Sequence, residues 1–230
     1  MASSTTPCPP DAPRTILISG GQGDLAQAIA HHFRQSGWLV FQPGRTELDV
    51  TDAASVRAFV ATLNLPVDLL VNNAGMIRDQ LLLRMDPAAW DAVMETNLAG
   101  AFRLSQAVLP GMLRQQRGHL VHIGSFSALH PPAGQANYAA AKAALIGLSH
   151  SLAAEYGGRN IRSNCILPGF LATKMTSSLP PEEIERARQA HALGRFNTPE
   201  DVARFLECLD RLENVSGQVF QLDSRLRPWT

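Results

Sequence analysis

The chain has 230 residues, of which 20 are basic and 20 acidic, so its formal net charge is zero. Proteins that bind the nucleic-acid backbone usually carry a basic patch, and this sequence has no run of Lys or Arg. We therefore expect no nucleic-acid partner. The cysteines Cys8, Cys165 and Cys208 are far apart and form no C-x-x-C pair, so the sequence predicts neither a disulfide framework nor a metal site. A cytoplasmic protein is expected.

The length suits one domain. Residues 1–13 are rich in Ser, Thr and Pro and hold no apolar run of signal-peptide length, so we interpret them as a disordered tail. No later stretch reaches the roughly 18 uninterrupted apolar residues that a membrane span needs, and we expect no membrane partner. Residues 14–230 are interpreted as a single domain.

Apolar runs alternate with helical patterns through this domain. The predicted strands are residues 14–19, 38–42, 67–71, 119–124, 161–167 and 217–222. The predicted helices are residues 24–36, 52–63, 87–115, 136–156 and 199–212. Strands that alternate with helices are typical of a parallel sheet covered on both faces. The sequence therefore predicts an α/β fold, a single-domain doubly wound parallel sheet of the Rossmann type.

One junction departs from this alternation. Only residues 43–46 lie between the second strand and a candidate third strand at 47–50, whereas a parallel crossover needs about a dozen residues. We predict that the crossover helix between the second and third strands is missing or reduced. Residues 42–52 are expected to be mostly loop or a short edge strand.

Polar and glycine residues follow the predicted strands, at the edge where such sheets bind ligands. In chain order they are Gly20, Gly21, Gly23 and Asp24, then Arg45, then Asn72, Asn73, Ala74 and Gly75, then Ser125, then Pro168 and Gly169. We expect these groups to converge at one edge of the sheet.

The glycine cluster lies between the first strand and the first helix, where backbone N–H groups can approach a pyrophosphate. Its spacing departs from the common G-x-x-x-G-x-G pattern, because Asp24 and Ala26 occupy the last two glycine positions. Taken alone, the segment is also open to a simpler interpretation, in which the glycines only form a turn.

Tyr138 and Lys142 are four residues apart in an Ala-rich helix, so both side chains project from one face. An ammonium beside a phenol favours the phenolate, which makes Tyr a usable acid and base near neutral pH. Only Lys142 and Lys174 are lysines, and a chain that otherwise uses Arg has kept a compact ammonium here. The alternative is an ordinary surface pair on a helix.

Five separated motifs together resemble the short-chain dehydrogenase/reductase family. They are the glycine cluster, N-N-A-G at residues 72–75, Asn97 in E-T-N-L, Ser125 with Tyr138-x-x-x-Lys142, and P-G at 168–169. The match covers about residues 14–222. Segments 72–85, 134–142 and 168–173 are most similar to the 3-oxoacyl-[acyl-carrier-protein] reductases of this family.

The resemblance implies hydride transfer from a nicotinamide cofactor to a carbonyl group. Tyr138 would donate the proton, Ser125 would hydrogen-bond the carbonyl oxygen, Lys142 would lower the pKa of Tyr138 and hold the nicotinamide ribose, and Asn97 would keep a water that links Lys142 to solvent. The residues implied in cofactor binding are Gly20, Gly21, Gly23, Asp24, Leu25, Arg45, Asp49, Val50, Asn73, Ala74, Gly75, Tyr138, Lys142, Pro168, Gly169 and Thr173.

The end of the second strand bears on the choice of cofactor. An acidic residue there would bind the ribose 2′-hydroxyl of NAD, and none is present. Arg45 follows closely and can pair with the 2′-phosphate of NADP, although a solvated loop arginine is an equally good interpretation. We predict NADP(H).

A reductase of carrier-bound substrates needs basic residues for an acidic acyl carrier protein. Arg159 lies where the resembled reductases use a docking arginine, whereas Gln116 replaces the second one, with Arg114 and Arg117 close by. Carrier docking by Arg114, Arg117 and Arg159 is therefore predicted. The alternative is that these are surface arginines without a specific partner.

Other segments depart from the resembled reductases. Residues 174–192 are interpreted as a lid over the substrate mouth, with a plain surface helix as the alternative. Asp223-Ser224-Arg225 replaces the usual Gly-Gly near the C-terminus, so substrate and assembly are both expected to differ. His122 and Cys165 lie in apolar strand patterns and are interpreted as core residues. An Ala-rich face at 139–144 predicts a helix interface in a homotetramer or homodimer.

The leading hypothesis is an NADPH-dependent reductase of 3-oxoacyl thioesters on acyl carrier protein, in fatty-acid or specialised polyketide-like biosynthesis. A second is an NAD(P)-dependent dehydrogenase of another secondary alcohol or ketone, or of a CoA thioester, because family members share chemistry while their substrates vary. A third is a nucleotide-sensing protein without turnover, which the presence of Ser125, Tyr138, Lys142 and Asn97 disfavours.

Overall fold

The structure is a computed structural model that describes residues 13–173 and 180–226. The predicted tail up to residue 12, the first part of the predicted lid with Lys174, and residues 227–230 lie outside the described residues. In the described ranges, no helix is long and apolar enough to cross a membrane.

One sheet of six parallel strands forms in the described part of the chain. The strands are β1 (Thr15–Ile18), β2 (Leu39–Phe41), β3 (Leu69–Asn72), β4 (Gly118–Ile123), β5 (Ile161–Leu167) and β6 (Val219–Gln221). Their order is β2-β1-β3-β4-β5-β6. The predicted parallel α/β sheet is confirmed. Its order reverses between β1 and β3, which is where such sheets bind ligands.

Helices cover both faces of this sheet. They are α1 (Asp24–Gln35), α2 (Ala53–Thr62), α3 (Pro87–Met94), α4 (Gly100–Gln115), α5 (Ala136–Tyr156), α6 (Pro181–Gln189) and α7 (Pro199–Arg211). Ile16 and Ile18 of β1 pack with α1 and α7 on one face, whereas Leu17 packs with α4 on the other. Because the central strands are buried on both faces, they are continuous apolar runs instead of alternating patterns.

The predicted helix at 87–115 is interrupted in the structure. A π-helical turn, Glu95–Ala99, separates α3 from α4. Asn97 lies in this turn, and its side chain bonds both the backbone N–H and the carbonyl of Met76, at 2.8 and 3.0 Å. The wider turn is therefore held by a contact to the loop after β3, which helical periodicity alone does not reveal.

Residues 42–52 contain turns and neither helix nor strand. α2 then provides the crossover from β2 to β3, and Asp52 caps it by accepting hydrogen bonds from Ala54 and Ser55. The loop packs closely on its surroundings: a Cβ added to Gly100 of α4 would lie 2.7 Å from Cγ2 of Val50. The sheet thus ends at β2 on this side.

α6 forms inside the segment predicted as a lid, and none of its residues is buried. The charges of this helix are separated along its axis, with Glu182 and Glu183 in its first turn and Arg186 and Arg188 in its last. This arrangement matches the helix macrodipole. Residues 181–189 of the predicted lid therefore form an exposed helix, and His191 beyond it is buried.

Candidate active site

The loop after β1 approaches two neighbouring loops so closely that its glycines are required. Gly20 has a φ of +67°, and a Cβ there would lie 3.0 Å from Cα of Ala74. A Cβ on Gly21 would lie 2.1 Å from the carbonyl oxygen of Gln42. The glycine cluster therefore does more than turn the chain, because it lets three loops meet at the carboxyl edge of the sheet.

The N-terminus of α1 opens at the same edge. Its N-cap is Gly23, which offers no side-chain hydrogen bond to the first-turn N–H groups. Backbone N–H groups at a helix start and the positive end of the helix dipole fit a pyrophosphate group. The cradle thus suits the dinucleotide implied by the sequence, with Asp24 and Leu25 as the first residues of α1.

Ser19 joins the N-N-A-G loop to the end of β1. Its hydroxyl accepts hydrogen bonds from the backbone N–H groups of Asn73 and Ala74, both at 3.0 Å, and Asn73 Nδ2 donates to the Ser19 carbonyl. Sequence reasoning did not single out Ser19. The signal available in the sequence was the position of this serine at the end of an apolar strand.

Three predicted groups converge around Gly75. A Cβ on this glycine would lie 3.5 Å from Oδ1 of Asn97 and 3.6 Å from Nζ of Lys142. The structure therefore brings the N-N-A-G loop, the π-helical turn and α5 together. Asn97 is buried and its amide is fully paired with Met76.

The Ser125 hydroxyl lies near enough to the Tyr138 phenol to influence its pKa. Burial is the largest influence on the Tyr138 phenol and raises its pKa; Ser125 acts in the opposite direction, and the charge of Asp79 raises the pKa further. The lowering of the Tyr138 pKa by Lys142 that the resemblance implies stays a prediction. Nζ of Lys142 lies 5.7 Å from the Tyr138 ring centroid and donates instead to the carbonyl of Ile123, at 2.7 Å.

Lys142 is buried beneath this pair. Burial lowers its pKa from 10.5 to about 8, and the neighbouring Cys165 opposes this change. Cys165 itself is buried, which raises the pKa of its thiol to about 11. Burial also lowers the pKa of His122 to about 3. Both residues lie in the sheet, as expected of core residues, and face Lys142 as neutral groups.

Arg45 and Asp49 lie together in the loop that follows β2. Arg45 Nε donates to Asp49 Oδ2 at 3.2 Å, and the Arg45 side chain is 79% exposed. Hydrogen bonds from Thr51 are the largest influence on Asp49 and lower its pKa. Arg45 and Asp49, both implied in cofactor binding, thus form a charged pair beside buried Val50.

Residues 223–225, which differ from the resembled reductases, pack against the loops after β4 and β5. Gly169 has a φ of +83°, and a Cβ added to it would lie 2.8 Å from Cβ of Asp223. Arg225 donates from Nε to Asp223 Oδ2 at 2.8 Å and lies over the Phe126 ring, 3.3 Å from its centroid. Phe126 follows Ser125, so this contact, missed at the sequence level, borders the predicted catalytic pair. Pro168 and Thr173 flank the same edge.

The predicted docking arginines lie elsewhere. Arg114 and Arg117 stand where α4 leads into the amino end of β4, and Arg159 precedes the amino end of β5. Arg117 pairs with Asp68. Within one chain, these residues therefore occupy the edge opposite to Ser125 and Tyr138.

In the described residues, no group of three His, Cys, Asp or Glu side chains is arranged to hold a metal ion.

Comparisons with known proteins agree with this geometry. The short chain dehydrogenase family matches residues 44–184, more than half of the chain. The chain is 42% identical to the 3-oxoacyl-[acyl-carrier-protein] reductase FabG of Thermotoga maritima, over 93% of this chain and 97% of the relative. It is 39% identical to the protein of the same name from Escherichia coli, over 91% and 96%, and 36% identical to that of Vibrio cholerae, over 83% and 86%. The chain belongs to the short-chain dehydrogenase family and is an oxidoreductase.

Proposed function

We propose that the protein reduces a 3-oxoacyl thioester, bound to acyl carrier protein, to the 3-hydroxyacyl thioester with NADPH. The activity serves fatty-acid biosynthesis or a specialised polyketide-like pathway. The observation that carries the proposal is the placement of Ser125 beside Tyr138 and buried Lys142, in a chain similar over most of its length to reductases of this name.

In this proposal Tyr138 is the general acid. The raised pKa keeps its phenol protonated at neutral pH, so it has a proton to give. Ser125, which lies beside Tyr138, hydrogen-bonds the same substrate oxygen and orients it as negative charge develops. When bound, NADPH supplies the hydride that the carbonyl carbon receives.

Lys142 and Asn97 support this proton transfer. The Lys142 ammonium stabilises the phenolate that Tyr138 becomes on losing its proton, because opposite charges attract strongly in a buried site. A lysine pKa of about 8 leaves most of the side chain charged at pH 7. Asn97 holds the loop after β3 through Met76 and borders Lys142, consistent with its proposed part in a proton path to solvent.

The cofactor would lie along the carboxyl edge of the sheet. The glycine loop and the first turn of α1 would hold its pyrophosphate, residues 73–75 would line the cleft, and Asp49 and Val50 would contact the adenine. Pro168, Gly169 and Thr173 would border the nicotinamide. Arg45, exposed and positioned by Asp49, would pair with the 2′-phosphate of NADP.

The first test measures NADPH consumption with acetoacetyl-CoA and with longer 3-oxoacyl groups on carrier protein. Tyr138→Phe is the control, since it keeps the ring and removes the proton donor. We expect turnover that falls about 10²-fold or more in the variant, as is typical for loss of a general acid. A protein that binds NADPH and reduces no thioester would contradict the proposal. Activity on another ketone, or none, would then favour the dehydrogenase or the nucleotide-sensing alternative.

Assembly and docking are part of this proposal. We propose a cytoplasmic homotetramer or homodimer built on α4 and α5. Arg159 and Tyr138 lie toward opposite ends of α5, whose 21 residues span about 30 Å. Docking by Arg114, Arg117 and Arg159 therefore fits an assembly in which a second copy brings these residues to the site. Light scattering that finds a monomer would contradict the assembly. Arg159→Glu that leaves carrier-bound turnover unchanged relative to a free thioester would contradict the docking.

A further inference from the structure

His191 lies just beyond the C-terminal end of α6 and is a buried titratable residue that the proposed mechanism does not use. It is 3% exposed, whereas no residue of α6 itself is buried. The turn that follows it is tied to the C-terminal segment of the chain. The backbone N–H groups of Ala192 and Leu193 donate to the carbonyl and the hydroxyl of Ser224, at 3.0 and 3.1 Å.

The hydrogen bond of one ring nitrogen decides the tautomer of His191. Nδ1 lies 2.7 Å from the carbonyl oxygen of Ala187. Because a carbonyl oxygen only accepts, the proton of the neutral ring belongs on Nδ1, and Nε2 then has a lone pair. Nε2 is buried and has no hydrogen-bond partner among the described residues. A buried polar atom without a partner costs free energy and requires an explanation.

The carboxylate of Asp223 is the group that Nε2 faces. Its Oδ2 lies 3.9 Å from Nε2, and both side chains are 1% exposed. Burial is the largest influence on Asp223 and would raise its pKa, but hydrogen bonds from Arg225 and Gln221 outweigh it, so the pKa is lowered and the group is ionised. A lone pair that faces a carboxylate is unfavourable, whereas a proton on Nε2 turns the same contact into an ion pair.

The other charges near His191 do not replace this pair. The charged groups of the elements around it are Arg186 and Arg188 on α6, Arg195 before α7, and Asp223 and Arg225 after β6. The first three are exposed, and Arg225 is itself paired with Asp223. Among the described residues, Asp223 is therefore the only ion-pair partner of His191.

Asp223 connects His191 to the loop that carries Ser125. It accepts a hydrogen bond from Nε of Arg225 at 2.8 Å, and this guanidinium lies over the Phe126 ring, 3.3 Å from its centroid. Phe126 immediately follows Ser125 in the chain. A continuous series of contacts therefore joins His191 to the neighbour of a candidate catalytic residue.

His191 also connects to the loop after β5, by two routes. Its ring packs edge-on against Phe196, and Phe196 packs on Phe170, with ring centroids 5.2 and 4.3 Å apart. Asp223 lies against the same loop, since a Cβ added to Gly169 would lie 3.0 Å from its Oδ2. The two loops proposed to border the carbonyl and the nicotinamide thus meet at one buried histidine.

We propose that His191 is a positioning residue of the reductase, which pairs as an imidazolium with Asp223 and thereby fixes the loop of Ser125 for the substrate carbonyl. This inference rests on the proposed function and adds to it a residue outside the predicted site. Loss of the proton from Nε2 leaves a lone pair against Asp223. The pair then weakens, and KM for the carbonyl substrate rises as the pH increases from 6 to 8.

Two conservative variants separate the roles of the two ring nitrogens. In His191→Gln the side-chain amide places a donor near the position of Nε2, toward Asp223, at every pH. In His191→Asn the amide replaces Nδ1 as the donor to Ala187 and leaves Asp223 without a partner on this side. The matched control is His31→Gln, at an exposed histidine of α1. KM and kcat for acetoacetyl-CoA are measured with saturating NADPH at pH 6 and pH 8.

We expect the KM of the wild type to equal that of His191→Gln at pH 6 and to exceed it about fivefold at pH 8, as for loss of one ion pair. The KM of His191→Asn should exceed that of His191→Gln about fivefold at both pH values. At each pH, kcat should agree within about twofold among all variants, because the reacting groups are unchanged. The control should match the wild type throughout.

Three kinetic results would overturn the proposal. One is a ratio of wild-type to His191→Gln KM that is the same at both pH values. The second is equal KM values for His191→Gln and His191→Asn, which would reduce the role of the ring to packing. The third is a loss confined to kcat, because the loop of Ser125 would then not be positioned through substrate binding.

A spectroscopic measurement tests the ion pair without turnover. In the full chain with ¹⁵N-labelled histidine, ring nitrogen shifts report which nitrogens carry protons, and His191→Gln assigns the signals. We expect protons on both nitrogens of His191 at pH 6 and on Nδ1 alone at pH 8, whereas Asp223→Asn should show Nδ1 alone at both. A wild-type Nε2 without a proton at pH 6 would overturn the proposal. The expected spectra from a chain that reduces no thioester would support the ion pair and contradict the proposed function instead.

Discussion

Nζ of Lys142 donates a hydrogen bond to the carbonyl oxygen of Ile123, the last residue of β4, at 2.7 Å. This bond ties the middle of α5 to the strand that leads into Ser125. One turn earlier on α5, Tyr138 is thereby set against Ser125, so one buried ammonium aligns the two elements of the candidate catalytic pair.

The burial of Lys142 predicts a pH dependence of stability. Its folded pKa of about 8 lies below the ordinary 10.5, so between these values the unfolded state binds more protons than the folded state. The free energy of unfolding should therefore rise with pH through this window, by about 1 kcal/mol between pH 8 and pH 9, and the destabilisation is fully present below pH 8. Urea titrations at both pH values measure it.

The thiol of Cys165 should lower the free energy of unfolding at higher pH, opposite to the effect of Lys142. Its pKa is raised from 9.0 to about 11, so the folded state keeps a proton that the unfolded state loses, and stability falls as the pH rises above 9. Lys142→Met should abolish the rise between pH 8 and pH 9, whereas Cys165→Val should retain it. The same rise in Lys142→Met would show that another group causes it.

Gly21→Ala should damage both folding and cofactor binding. A Cβ at this position would lie 2.1 Å from the backbone of Gln42, so the glycine loop and the loop after β2 must separate. We expect a loss of about 3 kcal/mol in the free energy of unfolding, since overpacking commonly costs 1–3 kcal/mol, together with much weaker NADPH binding. Chemical denaturation and fluorescence titration measure these. Gly158→Ala, whose added Cβ meets no atom within 4 Å, is the matched control; similar losses in both variants would refute the steric argument.

Arg45→Ala should reduce the preference for NADPH over NADH about tenfold, because one charge-assisted pair to the 2′-phosphate is lost. The ratio of kcat/KM for the two cofactors is the measurement. Arg57→Ala removes a cation from nearby α2 and should leave the ratio unchanged. If Arg45→Ala kept the preference for NADPH, the proposed pairing of Arg45 with the 2′-phosphate would be contradicted.

Asp223 and Arg225 should together affect the binding of the carbonyl substrate. Asp223 packs on Gly169 and Arg225 covers the ring of Phe126, so either Asp223→Asn or Arg225→Met should loosen the loop beside Ser125. We expect KM for the carbonyl substrate to rise several-fold in each single variant. The double variant should be little worse than either single one, with a coupling of about 1 kcal/mol. Additive effects would contradict a shared role.

Much of the site follows from short-range sequence signals. Glycines between a strand and a helix, and Tyr and Lys four residues apart, are local patterns whose geometry depends on one element each. The parallel sheet follows equally from alternating elements. No strand forms at 47–50, and α2 supplies the crossover from β2 to β3, so the prediction of a missing crossover helix is not confirmed.

Other features depend on contacts between distant segments and could not be read from the sequence. The π-helical turn at Asn97 is held by Met76, and the cover on Phe126 comes from Arg225, about a hundred residues later. The pKa of Tyr138 is raised because burial outweighs its polar neighbours, a balance that no motif encodes. Leu81, Leu82 and Leu83 belong to the resembled segment 72–85, yet their exposure becomes visible only in three dimensions.

Because the loop at 42–52 forms no strand, the sheet has a short edge strand on that side. With no strand formed there, the sheet ends at β2 on one side and at β6 on the other, and each of these strands has only three residues. A strand that short offers too few unpaired N–H and C=O groups to recruit another chain. The rims of the sheet are therefore poor templates for edge-to-edge growth, although its centre is a run of continuous apolar strands.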